Sequence, residues 1–425
     1  MVIFGLIRLF NLVKSLFFLF FYNLRFECAS KNYEKYKLGK LVENVVAGAT
    51  PKTSIDEYWN NGNIPWLSSG EVHKKFIHHT DKFITSEGYD NSSTKMIPIN
   101  SVLIALAGQG KTRGTVAINK IELCTNQSIA AIIPNENLNY KYLFYYLESK
   151  YNYLRALSSS DGGRGGLNLK LIRSIQIQIP PIMEQEKISN FINEIDNKIR
   201  LLEQKYKSYQ DFKKYLMQQI FTQKLRFNKT SEWETYELND MGKTYNGLSG
   251  LSKDNFEKGN SKYITYKSIF DNNILKSDFT ENVELNNKSQ NEVKKGDLFF
   301  TGSSETPEEV GMVSVLDQNV DDCYLNSFCF GFRLNNGINI NPLFLAYYLR
   351  SPIMRNKIMI LAQGSTRFNL SKKEILKLKI KIPSITEQQQ VINLFQNVDN
   401  KINEISMQTN NFIEFKKGLL QQMFV

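Results

Sequence analysis

Cysteine and histidine are scarce in this sequence: its 425 residues include four cysteines and three histidines. The cysteines are scattered, and no two of them are spaced as CxxC. A structural zinc site needs clustered Cys and His ligands, and a disulfide framework belongs to short secreted chains. Neither can therefore be the basis of the fold, and the sequence predicts no metal and no cofactor.

The sequence also lacks a long uninterrupted apolar run. Its first 26 residues are apolar, but Arg8 and Lys14 interrupt them, and the longest uncharged stretch after Lys14 has ten residues. A spanning helix needs about 20 apolar residues, and a signal peptide needs a small-residue cleavage site. We expect residues 1–30 to be a leader outside the fold, either an upstream extension or a helix on a partner or membrane surface. A membrane anchor is disfavoured, and a cytoplasmic location is expected.

Basic residues outnumber acidic ones in this sequence. It has 53 lysines and arginines and 42 aspartates and glutamates, which gives a formal net charge of +11. The surplus lies in the first half: residues 37–180 carry 16 basic and 11 acidic groups, whereas residues 230–383 carry 19 of each. A basic surface favours a nucleic acid or another anionic partner. We therefore expect the first half to carry more of any salt-dependent affinity.

An internal repeat dominates the sequence. Residues 179–221 match residues 382–424 at a constant offset of 203, with 17 identities in 43 positions. The repeated segments include Ile-Pro-x-Ile-x-Glu-Gln, Asp-Asn-Lys-Ile and a final Gln-Gln-(Ile/Met)-Phe. Weaker similarity continues upstream, where Asn168 faces Asn369. The chain therefore consists of two related halves, each a divergent region followed by a nearly repeated helical one.

The repeated regions have the alternating four- and three-residue apolar spacing of a coiled coil. At 1.5 Å per residue, about 40 residues make a rod of roughly 60 Å, too long for one small domain to cover. We expect the two rods to pack antiparallel, as a spacer between two domains related by a pseudo-twofold axis. The alternative is that each helix packs on its own domain. The predicted seam comprises Ile188, Ile192, Ile195, Ile199, Leu202, Tyr206, Tyr209, Val391, Phe395, Val398, Ile402, Ile405 and Phe412.

The divergent regions contain short apolar runs separated by turns, such as residues 101–106, 115–118 and 128–133. These runs predict strands, and a short helix is predicted near residues 141–153 and 342–354. The fold class is therefore α+β, with two tandem β-rich domains separated and joined by two long helices. The predicted domains are residues 31–180 and 230–383, and the helical spacers are residues 181–229 and 384–425.

One segment of the first half, residues 105–112, fits a relaxed phosphate-binding loop pattern that ends in Gly110-Lys111-Thr112. Such a loop must open a helix, whose N-terminal amides hold the phosphate. Because residues 113–118 predict a second strand, we interpret the segment as the loop of a β-hairpin. An NTPase is the less favoured alternative.

The duplicated layout resembles the DNA-specificity subunits of type I restriction–modification systems. The repeated helix starts and ends carry the resemblance, together with residues 38–41, 65–72 and 233–238, and it covers about residues 30–425. In that family, each globular part is a target-recognition domain for one half of a split DNA sequence. The resemblance implies double-stranded DNA, two methyltransferase subunits and restriction/translocase subunits as partners. It also implies that the chain itself is not an enzyme. A membrane partner is disfavoured because charged residues interrupt the leader.

The candidate DNA contacts lie on the Gly-rich loops and beside the early aromatic segment. Arginine can make bidentate contacts to guanine or phosphate, and asparagine can make them to adenine. The candidates are Trp66, Ser68, Ser69, Gln109, Lys111, Arg113, Arg164 and Asn168 in the first half, and Tyr266, Lys267, Ser303, Ser304, Arg367 and Asn369 in the second. The alternative function is a non-DNA scaffold: two interaction domains on a coiled coil, with the leader at a membrane.

Overall fold

A computed structural model of the chain describes residues 33–108, 111–157, 166–276, 279–285 and 289–424. These residues divide into two units: residues 33–200 together with 410–424, and residues 201–409. Each unit therefore takes one globular domain and a part of both long helices. The leader and the candidate contacts Gln109 and Arg164 lie outside the described residues.

The first unit is rich in short strands. They are β1 (Glu34–Lys37), β2 (Val42–Ala47), β3 (Ile64–Leu67), β4 (Phe76–Ile77), β5 (Lys82–Ile84), β6 (Val102–Ala105), β7 (Val116–Asn119), β8 (Cys124–Thr125), β9 (Ile129–Pro134) and β10 (Gln176–Ile179). The α-helices are α1 (Ser86–Asp90), α2 (Tyr140–Ser149), α3 (Tyr151–Leu157), α4 (Leu169–Ser174) and the first part of α5 (Ile182–Phe221). Single 3-10 turns cover Leu38–Lys40, Asp56–Tyr58 and Ser69–Lys74.

A five-stranded sheet in the order β2-β9-β6-β7-β4 forms the centre of the first unit, beside a smaller sheet, β5-β3-β8. The central pairs are antiparallel except β4–β7. Strand β6 is buried along its whole length. Val102 and Ile104 share one core with helix α2, whereas Leu103 and Ala105 belong to another core, because successive side chains of a strand face opposite ways. A sheet covered on both faces thus accounts for the uninterrupted apolar run.

The second unit contains the following elements. Its strands are β11 (Glu234–Glu237), β12 (Gly242–Asn246), β13 (Phe256–Ile264), β14 (Ile274–Leu275), β15 (Thr280–Val283), β16 (Leu298–Thr301), β17 (Ser303–Ser304), β18 (Val313–Leu316), β19 (Cys323–Leu325), β20 (Cys329–Leu334), β21 (Ala362–Gln363), β22 (Phe368–Leu370) and β23 (Lys379–Ile382). Its helices are the end of α5, α6 (Leu238–Met241), α7 (Tyr266–Asp271), α8 (Pro342–Leu349), α9 (Pro352–Ile360), α10 (Lys372–Leu376) and most of α11 (Ile385–Met423), with a 3-10 turn at Lys253–Asn255.

The second unit repeats the plan of the first. Its central sheet has the order β12-β20-β16-β18-β14, and β14–β18 is parallel as β4–β7 is. Its smaller sheet, β15-β13-β19, corresponds to β5-β3-β8. A further sheet, β17-β22-β21, occurs here and has no counterpart among the described residues of the first unit. The predicted α+β class with a mainly antiparallel sheet is therefore confirmed.

The two short helical regions differ from expectation, because each holds two helices rather than one. Helix α2 ends at Ser149 and α3 begins at Tyr151, while α8 ends at Leu349 and α9 begins at Pro352. Proline is tolerated at the first helical position, but it disfavours helical geometry in the residue before it. Ser351 is accordingly extended, with ψ 151°, and the chain must start a new helix.

A buried glutamine lies in the first turn of each long helix. The side chain of Gln185 accepts a hydrogen bond from the backbone N–H of Asn139 at 2.9 Å. It donates to the carbonyl oxygens of Asn137 and Pro180 at 3.0 and 2.9 Å. Gln388 makes the same three bonds in the second unit. Because buried backbone groups must be paired, the repeated Glu-Gln of the sequence fixes each helix to the domain before it.

The long helices pair antiparallel. In the second unit, Lys213 of α5 forms an ion pair with Asp399 of α11 at 2.5 Å. Phe221, further along α5, stacks on Phe395, which lies earlier in α11, with ring centroids 5.8 Å apart. The contacts advance along one helix as they recede along the other, so the two segments run in opposite directions.

The predicted seam lies along this pairing. Its buried members are Ile192, Ile195, Leu202, Val391, Phe395, Val398 and Ile405. Its half-buried members are Ile188, Ile199, Tyr206, Tyr209, Ile402 and Phe412. The antiparallel coiled coil is confirmed. The alternative packing is also present in part, because the first turns of α5 share a core with helix α2 of the same half.

The end of each long helix packs into the globular domain of the other half of the sequence. Phe424, just beyond α11, packs edge to face on Tyr142 and Tyr146 of α2, with centroids 5.3 and 5.9 Å apart. Phe221, the last residue of α5, packs in the same way on α8. The phenylalanine of the repeated Gln-Gln-(Ile/Met)-Phe ending thus fills the hydrophobic core of the other half's domain. Neither half of the sequence completes its core alone.

A largely buried cluster of ionisable side chains joins α2 to both long helices in the first unit. The Tyr145 hydroxyl donates to Asp196 at 3.0 Å, and Lys416 Nζ lies 2.8 Å from both Asp196 and Glu148. Burial, and after it the charge of Asp196, raises the pKa of Tyr145, so its hydroxyl stays protonated and donates. Burial alone would raise the pKa of Glu148, but the charges of Lys416 and Lys75 outweigh it and hold that pKa below its ordinary value.

The second unit repeats part of this cluster. Tyr347 donates to Asp399 at 2.8 Å, and Lys213 again supplies the positive charge. Arg350 occupies the position that Glu148 has in the first unit, and its guanidinium donates to backbone carbonyl oxygens, one of them that of Ile269. Burial lowers the pKa of Arg350 to about 10. The two clusters therefore share their Tyr–Asp–Lys core but balance charge differently.

Replacing Lys416 by methionine tests this cluster. The change removes the shared cation from Asp196 and Glu148, so we expect the first unit to lose about 3 kcal/mol in its free energy of unfolding near neutral pH. A carboxyl group whose pKa is lowered on folding stabilises the protein above its unfolded pKa, and this contribution disappears as the pH falls through the folded pKa. The deficit of the variant should therefore shrink as the pH falls from about 7 to about 4.

Urea unfolding followed by tryptophan fluorescence measures this effect, because Trp59 and Trp66 lie in the first unit. Lys417→Met is the matched control: its side chain is 65% exposed and that of its partner Glu414 is 71% exposed. We expect the control to change stability by less than about 0.5 kcal/mol. A Lys416→Met protein as stable as the wild type at neutral pH, or a deficit that grows on acidification, contradicts the account.

Candidate nucleic-acid interface

Backbone hydrogen bonds tie four segments of the first unit together. The N–H of Leu106, just after β6, donates to the carbonyl oxygen of Ser128, just before β9, at 2.8 Å. Leu106 accepts in turn from the N–H of Leu167 at 3.0 Å. The N–H of Asn126 donates to the carbonyl oxygen of Leu67 at the end of β3, at 3.1 Å. We call this set the first loop cluster: residues 67–69, 106–108, 111–113, 126–128 and 166–168.

The second unit builds its loop cluster with the same three bonds. The N–H of Gly302 donates to the carbonyl oxygen of Phe328 at 2.8 Å, and Gly302 accepts from Leu370 at 2.9 Å. The N–H of Asn326 donates to the carbonyl oxygen of Ile264 at 3.1 Å. The second loop cluster comprises residues 264–267, 302–306, 326–328 and 363–371. Two regions that diverge in sequence thus present equivalent loops.

Trp66 lies beneath the first loop cluster rather than on its surface. It is 5% exposed, its indole N–H donates to the carbonyl oxygen of Ala49 at 3.1 Å, and its ring packs against Trp59 at 5.1 Å. An indole that is buried and hydrogen-bonded stabilises its own domain. The structure therefore places Trp66 in a structural position and not among the exposed residues of the loop cluster.

Ser68 and Ser69 are half-buried at the start of the 3-10 turn that follows β3. The backbone N–H and the hydroxyl of Ser68 both donate to Glu71, at 3.2 and 3.1 Å. Glu71 is 5% exposed and also accepts from Lys74 at 2.9 Å and from the backbone N–H of Asp81 at 3.0 Å. The hydroxyl of Ser68 is therefore committed to ordering this loop.

Lys111 and Asn168 are exposed on the first loop cluster, and Arg113 is half-buried there. The hydroxyl of Tyr151 donates to the carbonyl oxygen of Lys111 at 2.8 Å, which fixes the backbone of the loop. Asn168 caps α4, because its side-chain oxygen accepts from the N–H of Leu171 at 2.9 Å. The cap uses only the side-chain oxygen of Asn168, and the side-chain NH2 group is not part of it.

The second loop cluster brings together all six residues predicted for it. Tyr266 donates to the carbonyl oxygen of Ser303 at 2.9 Å, and strand pairing sets Ser303 opposite Asn369. Burial raises the pKa of Tyr266, so its hydroxyl stays protonated. Ser303 and Ser304 are 9% and 7% exposed, and Ser304 donates to a carboxylate of the same loop, so both serines lie in a supporting position. Lys267, Arg367 and Asn369 are the exposed members.

Asn168 and Asn369 are not equivalent, although the sequence alignment pairs them. Leu167 and Leu370 make the same bond to the central loop, so the structural offset here is 203 rather than 201. Asn168 therefore corresponds to Ser371, and both residues are N-caps of the next short helix. The glycine-rich loops differ in length between the halves, and the sequence alignment therefore paired Asn168 with a residue two positions too early.

Residues 105–112 are not a nucleotide-binding loop. Strands β6 and β7 form an antiparallel pair, and the N–H of Gly114 donates to the carbonyl oxygen of Ala105 at 2.9 Å, which closes a hairpin. Among the described residues from Lys111 onward, the next element is β7, so no helix there points its N-terminal amides at a phosphate. The predicted hairpin is confirmed.

The sequence did not single out Phe328, a member of the second loop cluster. Its side chain is 54% exposed, and the guanidinium of Arg367 lies over its ring at 5.2 Å. The available signal was the repeated asparagine two residues earlier, since Asn126 and Asn326 each order the following turn with the side-chain oxygen.

Two features are absent from the residues that the structure describes. No helix among them is long and apolar enough to cross a membrane. They also contain no group of three or more His, Cys, Asp or Glu side chains arranged to hold a metal ion. The described cysteines are buried thiols, and burial raises the pKa of Cys124 and Cys323 to about 11 and that of Cys329 to about 12.

Comparison with known proteins identifies the class to which this duplicated architecture belongs. A family model described as "Type I restriction modification DNA specificity domain" matches residues 30–208 and again residues 230–414. Together the two matches cover most of the chain. The chain belongs to this family of type I restriction–modification specificity proteins, as the sequence resemblance indicated.

Individual relatives agree with this assignment. The chain is 30% identical over 177 residues to the EcoR124I/EcoR124II specificity subunit of Escherichia coli, a match that spans 39% of this chain and 44% of that relative. It is 22% identical over 422 residues to the MjaVIII specificity subunit of Methanocaldococcus jannaschii, covering 93% and 92%. The fold is similar to that of a type I system S subunit from M. genitalium, with a TM-score of 0.56, 14% identity and 93% and 96% coverage.

An exposed cation on the second loop cluster provides the first test of binding. Lys267 lies in the first turn of α7, beside the candidate contacts. If it contacts a phosphate, Lys267→Ala should weaken binding to all duplex sequences alike and reduce the slope of log affinity against log salt by about 1. Fluorescence anisotropy with duplex DNA at several salt concentrations measures both quantities.

Lys205→Ala is the matched control, because Lys205 is also exposed but lies on α5 and belongs to neither loop cluster. We expect its affinity and salt slope to equal those of the wild type. Equal effects of the two substitutions would show that Lys267 contributes only general charge.

Proposed function

We propose that this chain is the DNA-reading subunit of a type I restriction–modification complex. Each loop cluster contacts one half of a split duplex site, and the lengths of α5 and α11 set the number of unread base pairs between the halves. The chain catalyses no reaction itself, uses no cofactor and acts in the cytoplasm. Phosphate contacts position each unit, while a few side chains read base edges.

The duplicated loop cluster is the observation that carries this proposal. Equivalent hydrogen bonds hold both clusters, yet the exposed residues among the predicted contacts differ: Lys111 and Asn168 in the first, Lys267, Arg367 and Asn369 in the second. A shared scaffold with different exposed side chains suits two domains that perform the same task on different sequences. Family membership supplies DNA as the class of ligand.

The proposed protein partners are two methyltransferase subunits, with restriction/translocase subunits joining the assembly. Large apolar side chains stay exposed on the helical segments of the second unit, outside the seam. They are Leu201 (53%), Phe212 (47%), Tyr215 (59%) and Met407 (60%). Exposed apolar side chains grouped on paired helices favour docking of further helices. We do not propose the non-DNA scaffold, because family membership and the paired loop clusters both favour DNA.

Asn168→Ser separates base reading from folding. Serine is among the preferred N-cap residues, so α4 should keep its cap. Ser371 is the N-cap residue at the equivalent position of the second unit, where its side chain makes no capping bond. If the Asn168 amide reads a base, the variant should relax one position in one half of the recognised sequence, with a discrimination loss of about 1–3 kcal/mol. The other half of the sequence should be unchanged.

The assay expresses the full chain with its companion methyltransferase and maps methylated adenines across the genome. We expect one split motif that depends on this chain and, for Asn168→Ser, relaxation in one half only. The reciprocal control, Ser371→Asn, should leave the first half of the motif unchanged. Methylation that does not depend on this chain would refute the proposed function.

A further inference from the structure

Phe328 is an exposed aromatic ring on a rigid support. The side-chain oxygen of Asn326 accepts from the N–H of Phe328 at 2.9 Å, and the backbone of Asn326 is tied to Ile264 at the end of β13. The Phe328 carbonyl oxygen accepts from Gly302 at 2.8 Å. A Cβ at Gly302 would lie 2.9 Å from that oxygen, so the close approach requires glycine. These bonds fix the backbone of Phe328, and its ring is 54% exposed.

Arg367 lies against this ring. Its guanidinium carbon is 5.2 Å from the ring centroid. The residue is exposed between β21 and β22, and within the described part of the chain its side chain has this ring contact and no ion pair. Cation–π contact orients a side chain that would otherwise sample many rotamers, so the entropy lost on binding a ligand is smaller. The pair is therefore preorganised, with its charge available to a ligand.

The chemistry of the pair fits the edge of a base pair. A guanidinium presents a planar fork of N–H donors that matches the N7 and O6 acceptors of guanine. The exposed edge of a phenyl ring suits an apolar group, such as the methyl group of thymine. A phosphate would use the fork but would leave the ring edge without a partner. The combination therefore favours a base edge in the major groove over a backbone phosphate.

The first loop cluster has a different residue at this position. Ser128 makes the same backbone bond to the central loop as Phe328 does, at the same distance of 2.8 Å. Its turn is ordered by Asn126 as the turn of Phe328 is ordered by Asn326. One scaffold position thus carries a hydroxyl in one unit and an aromatic ring in the other, which is the kind of difference that makes two half-sites distinct.

We propose that Arg367 reads a base edge in the half-site of the second unit and that Phe328 is the positioning residue that holds it. This inference rests on the proposed function, since it requires that the second loop cluster binds duplex DNA. It adds the pair of residues that determines one position of the recognised sequence, and it assigns the aromatic ring a role in specificity.

The experiment selects bound sequences from a randomised duplex library with the full chain and its companion methyltransferase. We compare the wild type with Arg367→Gln, Phe328→Ser and the double variant, and we include Phe328→Tyr as the conservative control. Phe328→Ser introduces the residue that the first unit has at this position. Both side chains are exposed, so these substitutions spare the buried core.

We expect Arg367→Gln to lose preference at one base pair by about tenfold or more, with the salt slope unchanged. Phe328→Ser should weaken preference at the same base pair by about threefold, and the double variant should be no worse than Arg367→Gln because the two residues act as a unit. Phe328→Tyr should keep the wild-type preference.

The outcomes that overturn the inference differ from those that overturn the proposed function. If Arg367→Gln weakens all sequences alike and lowers the salt slope, Arg367 contacts a phosphate and the inference fails. If Phe328→Ser keeps the wild-type preference, Phe328 does not position Arg367. If the wild type enriches no sequence at all, the proposed function itself is wrong.

Discussion

The packing of each helix end into the other half's domain is the contact on which the rest of the structure depends. Phe424 fills the core against Tyr142 and Tyr146, and Phe221 fills the equivalent place against α8. Replacing a buried aromatic side chain by alanine costs about 3–5 kcal/mol, which is a large share of the stability of a single domain. The duplication therefore yields two mutually dependent halves rather than two independent modules.

The loop clusters depend on the scaffold that these helices complete. A side chain can read a base only if its backbone is held within a fraction of an ångström, and the sheet and the cross-loop hydrogen bonds do this in both units. Because three equivalent backbone bonds carry the cluster, the half-buried Ser128 and the exposed Phe328 can occupy the same position without altering it. The backbone bonds that hold the loops are thus separate from the side chains that would contact DNA. Such a protein can change the sequence that it recognises and keep its fold.

Much of the fold could be predicted from the sequence, because apolar spacing is a direct physical signal. The heptad seam and the buried run of β6 were read from period and length alone. The candidate site was harder. The sequence around Trp66 is compatible with either a buried or an exposed ring. The packing of the smaller sheet determines that the ring is buried. Phe328 lies in a region where the halves have diverged, so the repeat gave no direct indication of it. Loops of different length shifted the pairing of Asn168 by two positions.

Amide hydrogen exchange can test most directly whether each helix end stabilises the domain of the other half of the sequence. Phe221 follows the first domain in the sequence but packs in the second unit, while Phe424 packs in the first. In the full chain, Phe221→Ala should therefore speed exchange in β16 and β20 and leave β6 and β9 protected, whereas Phe424→Ala should do the reverse. Loosening of β6 and β9 by Phe221→Ala, with β16 and β20 unaffected, would contradict the account.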